Sequence, residues 1–474
     1  MMKILLINPP FTNYGGLQGH GGMAPPLNLG YLAAYARSKN NTLEISILDT
    51  EVLGMRFEDI KEYIRNNRPD VIGITSSTPV FTCAINISRI AKEVGSDIKV
   101  IFGGVHPSAL PDEVISYESV DFVVRGEGEV SFFNLLCAIE NGSSFSGIDG
   151  ISYKDNGKVV HNQPEKPVEN LDELPFPARD LMPHELYKPP PTKRVSMFRP
   201  TSLTSARGCP YHCNFCSASV IWGSKYRYRS PENIVAEIEE CIEKFNIREF
   251  SITDELFTIS RERVVLFCEK VLSKKLNIAW VCMSRAGYVD KEMLEIMKKA
   301  GCREISFGLE SGDEEMLARI HKQNTLEAAR KSIHLVKEAG IKTHASFMIG
   351  NLGESENSIR KTIDFAKELN TDIAAFFIAS PLPGTELYKD ARRLSYIRSD
   401  AEWKDFSPLS KTKPVLQLPN LSPEDLQKWH RRAIKEYYLR PRYILKRIFS
   451  LKGRIDFLNL FDGVSLFMRI RHTK

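Results

Sequence analysis

Three cysteines fall within eight residues in the run Arg207-Gly208-Cys209-Pro210-Tyr211-His212-Cys213-Asn214-Phe215-Cys216, a C-x3-C-x2-C spacing. Thiolates are soft donors suited to zinc or iron–sulfur, and at this spacing one loop can wrap a compact metal centre. A structural zinc site takes four protein ligands. Only three cysteines are local, no second pair follows at finger spacing, and His212 adjoins Cys213 with poor reach. Three thiolates on a four-iron cluster leave one iron open to a ligand, so the donor count favours iron–sulfur over zinc. The other six cysteines, Cys83, Cys137, Cys241, Cys268, Cys282 and Cys302, stand singly in mostly apolar runs and read as small buried hydrophobes.

A loop of this kind needs a scaffold, and 474 residues supply more than one core. With 42% hydrophobic and 26% charged residues the composition excludes a disordered, collagen-like or disulfide-framework chain. The longest apolar stretches, such as 373–382, fall short of the ~20 residues that cross a bilayer. The start, Met1 to Pro10, has too short an apolar run for a signal peptide. The expected setting is cytoplasmic, where a cysteine cluster favours metal over disulfide.

Over residues 1–140 strand-like runs (3–8, 43–49, 71–75, 99–102, 122–124) alternate with helix-like ones (27–38, 57–66, 84–94, 132–139). This interval predicts a doubly wound parallel sheet in an α/β fold, which binds ligands beyond the carboxyl ends of its strands. Residues 141–200 read as a linker with a hairpin around Asp155-Asn156-Gly157 and a proline-rich stretch at 188–191. Over 201–390 a second alternation places strands at 202–206, 249–253, 279–283, 304–307, 343–348 and 373–378. Six such units predict a closed or partly open (β/α)6 barrel with its chemistry at the strands' carboxyl ends. The cysteine run follows the first of these strands.

Residues 391–474 form a C-terminal extension, helical from Ser422. Ile434, Tyr437, Tyr438, Ile444, Leu445, Ile448 and Phe449 share one face, and Pro441 should restart the helix. Residues 431–474 carry twelve Lys and Arg against three acids, a local +9, while the whole chain is +5. The tail rather than the body is expected to meet an anionic partner.

The C-x3-C-x-F-C run after a strand that opens a six-unit barrel resembles the radical S-adenosylmethionine (SAM) superfamily. The resemblance implies a [4Fe–4S] cluster on Cys209, Cys213 and Cys216, whose fourth iron chelates SAM, with Phe215 beside it. It also implies cleavage of SAM to a 5′-deoxyadenosyl radical. Other strand ends match that family's layout. Asp254 and Glu255 are expected at the SAM ammonium, Ser284 and Arg285 after the third strand, and Glu310 and Ser311 near the ribose and carboxylate. Gly350-Asn351-Leu352-Gly353-Glu354 is similar to the family's G-x-P-G-E, with Leu352 in place of proline.

Gly19-His20-Gly21-Gly22-Met23-Ala24 superficially fits a dinucleotide fingerprint. It lies eleven residues past the strand, with Pro25-Pro26 before the helix, which argues against nicotinamide or flavin. Asn8-Pro9-Pro10, Thr75-Ser76-Ser77, Gly103-Gly104-Val105-His106 and Arg125-Gly126-Glu127-Gly128-Glu129 together resemble instead the cobalamin-binding domain found before many radical SAM barrels. The resemblance implies that Thr75, Ser76, Ser77, Gly103, Gly104, His106, Gly126 and Glu127 contact cobalamin. The D-x-H-x-x-G that supplies a lower axial histidine is absent after the first strand; Asp49-Thr50-Glu51 reads as chance, and His106 is a reserve ligand.

What the resemblance implies is a cobalamin-dependent radical SAM enzyme that methylates an unactivated carbon of a small-molecule or lipid substrate. In that reaction a substrate radical takes its methyl from methylcobalamin. An oxidative cyclase of the same architecture is the alternative enzyme, and a non-catalytic cobalamin sensor the alternative of another class; the intact cysteine triplet argues against the sensor. A reductant such as flavodoxin or ferredoxin is implied. No nucleic acid is expected, because the tail's apolar face suits peripheral contact with a membrane, or a partner, better than a phosphate backbone; a helix packed against the barrel is the alternative.

Overall fold

The computed structural model describes residues 1–11, 23–190, 193–407, 413–449, 451 and 453–472, with side chains of the last helix up to residue 463. The glycine run at 19–22 lies outside the described residues, as do Thr12, Asn13 and Pro191.

Two sheets carry the chain. In the first, β1 (Lys3–Asn8), β2 (Glu44–Asp49), β3 (Val71–Thr75), β4 (Lys99–Gly103) and β5 (Phe122–Val124) run parallel in the order β2-β1-β3-β4-β5. Helices α1 (Leu27–Lys39), α2 (Phe57–Asn67), α3 (Phe81–Val94), α4 (Val105–Ala109), α5 (Pro111–Ser116) and α6 (Glu129–Asn141) connect them. Both faces of the sheet are covered, one core forming around Ile4, Leu6 and Phe132 and the other around Ile7, Ile74 and Phe102. That is why these strands read as continuous apolar runs. The Asp155-Asn156-Gly157 turn does make a hairpin, β6 (Ile151–Asp155) and β7 (Lys158–His161), with Asn156 and Gly157 both at positive φ. It adds to the first sheet antiparallel to β5.

The second sheet is a curled half-barrel of six parallel strands: β8 (Arg199–Leu203), β11 (Ile247–Ile252), β12 (Ala279–Ser284), β13 (Cys302–Glu310), β14 (Lys342–Ile349) and β15 (Ile373–Ile378). Between β8 and β11 a short antiparallel pair forms from β9 (Ala206–Arg207) and β10 (Arg227–Tyr228). The intervening helices are α7 (Ala218–Trp222), α8 (Pro231–Phe245), α9 (Arg261–Ser273), α10 (Lys291–Lys299), α11 (Glu314–Arg319), α12 (Leu326–Glu338), α13 (Glu356–Leu369) and α14 (Glu386–Arg393). Among the described residues β8 and β15 do not pair, so the barrel is open. Serine, threonine or aspartate begins most of these helices. Ser230, Ser260, Asp290, Thr325, Ser355 and Thr385 each accept a backbone N–H from the first turn.

The first barrel strand lies earlier than the expected 202–206. Its pairing with β11 starts at Arg199, and the chain leaves the sheet after Leu203 because Ser205 and Ala206 turn to a buried acid, Asp254. The tail folds as α15 (Pro423–Tyr438), α16 (Pro441–Phe449) and α17 (Arg454–His472), with Pro441 opening α16. The expected single apolar face is divided. Tyr437 and Tyr438 lie in the barrel's core region, their hydroxyls donating to the carbonyls of Thr371 (2.6 Å) and Ala374 (2.9 Å). No helix of the described residues is long and apolar enough to cross a membrane.

Candidate active site between the two sheets

The cysteine loop is placed by contacts on three sides. Gly208 has φ of +90°, and a Cβ there would stand 2.1 Å from the Lys225 carbonyl oxygen, so only glycine lets the loop leave β9. Beyond it the Cys216 N–H donates to the Cys213 carbonyl at 3.1 Å. Asn214 binds the backbone of Arg319 and Ile320 and accepts from the Leu387 N–H, tying the loop to α11 and α14. Phe215 packs against the barrel core.

Cys209, Cys213 and Cys216 are unpaired and half-buried. Burial raises the thiol pKa of Cys209 and takes that of Cys216 up to about 11, with smaller contributions from the neighbouring cysteines and from Glu255. Metal binding would release these protons. Among the described residues no three His, Cys, Asp or Glu side chains converge on one ion. A four-iron cluster places each thiolate on a different iron, and three thiols on one loop suit it.

Unpartnered polar atoms lie at the carboxyl ends of the barrel strands, Arg285 beside the loop itself. Arg285, after β12, is buried with its guanidinium carbon 3.6 Å from the Tyr211 ring centroid, and its Nη2 has no partner. Tyr211 meets Tyr288 hydroxyl to hydroxyl. Asn351, after β14, is 1% exposed with neither side-chain atom bonded. Glu354 accepts from the Gly350 and Asn351 N–H groups through Oε2 and leaves Oε1 free, while burial lifts its pKa to about 7. Glu255, half-buried after β11, is likewise raised to about 7 by desolvation and then by Asp254. Buried groups without partners at the ends of several neighbouring strands are what a polar ligand such as SAM would satisfy.

Not every expected residue is brought here. Asp254 is fully buried, and its carboxylate accepts from the N–H groups of Ser205 (2.6 Å) and Ala206 (2.9 Å) and from the Ser205 hydroxyl. It braces the approach to the cysteine loop and is not offered to an ammonium group. Ser284 shares its hydroxyl with Thr258 at 2.6 Å, and Ser311 with Thr362 at 3.0 Å; both are interior. Glu310 does stand at the mouth, at φ of +66° beside a register shift in the β13–β14 pairing, with Lys322 3.0 Å from Oε1. No sequence signal marked Lys322 or Tyr288 as neighbours of the site.

In the first sheet, Thr75 and Gly103 end β3 and β4, half-exposed; Ser77 is exposed and Ser76 buried. Gly104 has φ of +99°, and a Cβ on it would come within 2.8 Å of the Ser76 carbonyl, so the two strand-end loops touch. A Cβ on Gly103 or Gly126 would meet nothing closer than 3.7 Å. That bare backbone at strand ends fits a broad, flat ligand such as a corrin. His106 is fully buried, its Nδ1 3.2 Å from the Thr78 hydroxyl, with ring centroids 4.1 Å from Phe81 and 4.9 Å from Trp403, and its Nε2 has no partner. Desolvation drops its pKa to about 3. Glu127 is engaged by two arginines. Its carboxylate, 5% exposed, receives Arg207 at 2.5 Å and Arg227.

That pairing shows how the two sheets meet. Arg207, at the end of β9, lies within the barrel's first loop, and Glu127 and Glu129 follow β5. α4 packs on α7, and Gly384 after β15 lies against Val220 and Ala109. The carboxyl ends of both sheets therefore face one region, with the thiol loop on one side and the glycine-rich strand ends on the other.

A half-barrel with a three-cysteine loop, joined through its active end to a doubly wound ligand-binding sheet, defines a two-cofactor enzyme. The Radical SAM superfamily family matches residues 203–366, and the B12 binding domain matches residues 20–136. An uncharacterized methyltransferase of Pyrococcus horikoshii is 33% identical over 96% of both chains. An anaerobic magnesium-protoporphyrin IX monomethyl ester cyclase of Rubrivivax gelatinosus is 32% identical over 82% of this chain and 70% of its own. The fold is also that of the radical SAM methyltransferase TsrM from Kitasatospora setae, solved with cobalamin and a [4Fe–4S] cluster, with a TM-score of 0.70 at 18% identity over 93% and 90% of the two chains. The chain belongs to the radical SAM superfamily, in the group whose barrel follows a B12-binding domain. It is an enzyme of that cobalamin-dependent family, which includes methyltransferases and cyclases, and its cofactors are a [4Fe–4S] cluster, SAM and cobalamin.

Proposed function

We propose that this enzyme transfers a methyl group to an unactivated carbon of a small-molecule substrate. The observation that carries the reading is the meeting of the two sheets' carboxyl ends through Arg207, Glu127 and Glu129, which sets the cluster loop against the strand ends that face cobalamin. The bound cofactors supply a 5′-deoxyadenosyl radical and a cobalt-carried methyl group.

The chain's own residues bind and orient. Cys209, Cys213 and Cys216 hold the cluster. Glu255 takes the SAM ammonium, and the unpartnered Nη2 of Arg285 takes its carboxylate, with the Tyr211 ring fixing the guanidinium plane. Glu310 and Lys322 lie toward the ribose, and Phe215 gives the adenine an apolar neighbour. Thr75, Ser77, Gly103 and Gly126 line the cobalamin slot. Between the sheets, a site screened from water protects a radical from quenching. Electrons come from a flavodoxin or ferredoxin, and the basic C-terminal helices make a peripheral membrane contact.

The test is the reaction with SAM deuterated in its methyl group. A product heavier by the full labelled methyl supports methyl transfer. An unlabelled product with a new ring supports the second reading, oxidative cyclisation, which the Rubrivivax relative favours.

A further inference from the structure

We infer that α16 and α17 seat the enzyme on the headgroups of an anionic phospholipid bilayer, at the end of the barrel opposite the catalytic mouth. This rests on the membrane contact proposed above and adds lipid charge and orientation to it.

The tail's inner half is already engaged. Tyr437, Tyr438 and Tyr443 donate to the carbonyls of Thr371, Ala374 and Asp372, and Leu426 packs on Gly350. The outer half reverses the usual pattern. In α17 the polar side faces the protein: Asn459, 3% exposed, exchanges hydrogen bonds with the Arg194 backbone at 2.9 and 3.2 Å, and Asp456 pairs with Lys342 at 3.1 Å. Two of its phenylalanines face solvent, Phe457 at 63% and Phe461 at 68% exposed. On α16, Leu445, Ile448 and Phe449 are 53%, 52% and 79% exposed. A helix on a water-facing surface turns its polar side outward; one that turns aromatic residues outward is built for a second apolar phase.

Charge selects the phase. Arg442 on α16 and Arg454 on α17 are exposed on the same helices as these apolar residues, and Arg431 and Lys435 are exposed on α15, within a segment of +9 on a chain whose remainder is about −4. Exposed aromatic and aliphatic residues on helices that also carry exposed cations suit an anionic lipid interface.

Orientation follows from the anchors. α16 and α17 bind Asp372, Lys342 and Arg194, which lie at the amino ends of β15, β14 and β8. The cysteine loop follows the carboxyl end of β8, a five-residue strand about 17 Å long. The seated enzyme turns its mouth to the aqueous side, so its substrate arrives from water.

The experiment is co-sedimentation of the full chain, loaded with cluster and cobalamin, with phosphatidylglycerol-containing and pure phosphatidylcholine vesicles at low and high salt. SAM cleavage to 5′-deoxyadenosine is measured in parallel. Pelleting is expected with the anionic vesicles, and should fall several-fold at high salt. It should fall about tenfold or more in the Phe449→Ser, Phe457→Ser, Phe461→Ser variant, whose mutated side chains are mostly exposed. SAM cleavage should be the same on vesicles, in solution and in the variant. Equal pelleting of neutral and anionic vesicles overturns the lipid selectivity, and wild-type pelleting by the variant overturns the site. A lipid-free dimer that the variant dissolves shows a second copy as the occupant and overturns the inference. Cleavage blocked on vesicles overturns the orientation. Loss of cleavage in solution counts against the radical SAM reading instead.

Discussion

Arg207 stands two residues before Cys209 and donates to Glu129, across the boundary between the two sheets, at 2.5 Å from Nη2. Its Nη1 reaches Glu127 at 2.5 Å, and the guanidinium lies 4.8 and 5.3 Å from the Trp222 and Tyr31 ring centroids. Arg207 is 2% exposed. The residue that launches the cluster loop is thus fixed to the cobalamin-binding domain by charge-assisted hydrogen bonds in a low-dielectric setting.

Removing one member of such a buried group leaves an uncompensated charge and typically costs about 3–5 kcal/mol. Arg207→Ala should therefore lower the unfolding free energy by about that much in denaturant titrations, and Glu129→Gln by less, because Glu127 still pairs Arg207. In whatever Glu129→Gln enzyme folds, methyl transfer should fall more than SAM cleavage. Equal loss of the two would show that the contact stabilises without aligning the cofactors.

Adjacent acids should separate by readout. Asp254→Asn disturbs the amide contacts of Ser205 and Ala206 and should lower thermal stability by several degrees. Glu255→Gln should leave the melting temperature within a degree or two and raise the KM for SAM about tenfold, or 1.4 kcal/mol. The opposite assignment, with Asp254→Asn stable but weak for SAM, would overturn both roles.

The contrast shows what the sequence could carry. Strands β1, β3, β5 and β15 have the boundaries their apolar runs predict; for β1, β3 and β5 the reason is burial on both faces, which gives a continuous and sharply ended signal. The cysteine triplet is legible because its chemistry depends on spacing within one loop. Asp254 and Glu255 are indistinguishable in sequence, since which acid is consumed by backbone amides depends on where Ser205 turns. Glu127 looked like a ligand contact because it follows a strand end between glycines, yet its partners, Arg207 and Arg227, lie 80 and 100 residues away. His106 likewise packs against Trp403, far along the chain.

At the other end of the barrel, Glu249 is 6% exposed and accepts from the Ser196 hydroxyl, and desolvation raises its pKa from 4.5 to about 7. Because the folded value exceeds the unfolded one, the native state binds the extra proton between about pH 4.5 and 7. Stability falls as pH rises through that window, and the loss is complete above it. Glu249→Gln keeps an acceptor for Ser196 without the charge. It should stabilise the protein at pH 8 by about 2–3 kcal/mol relative to its effect at pH 5. Denaturant titrations at both pH values check this; an equal effect at the two would contradict the shift.

The central claim is that Cys209, Cys213 and Cys216 hold a four-iron cluster with one iron open to SAM. Metal analysis and electron paramagnetic resonance of the anaerobically reconstituted, reduced protein, with and without SAM, test it most directly. The account predicts about four irons per chain, a cluster signal that shifts when SAM is added, and loss of that signal in Cys213→Ala. One tightly bound zinc per chain with no iron, or a cluster signal indifferent to SAM, would contradict it.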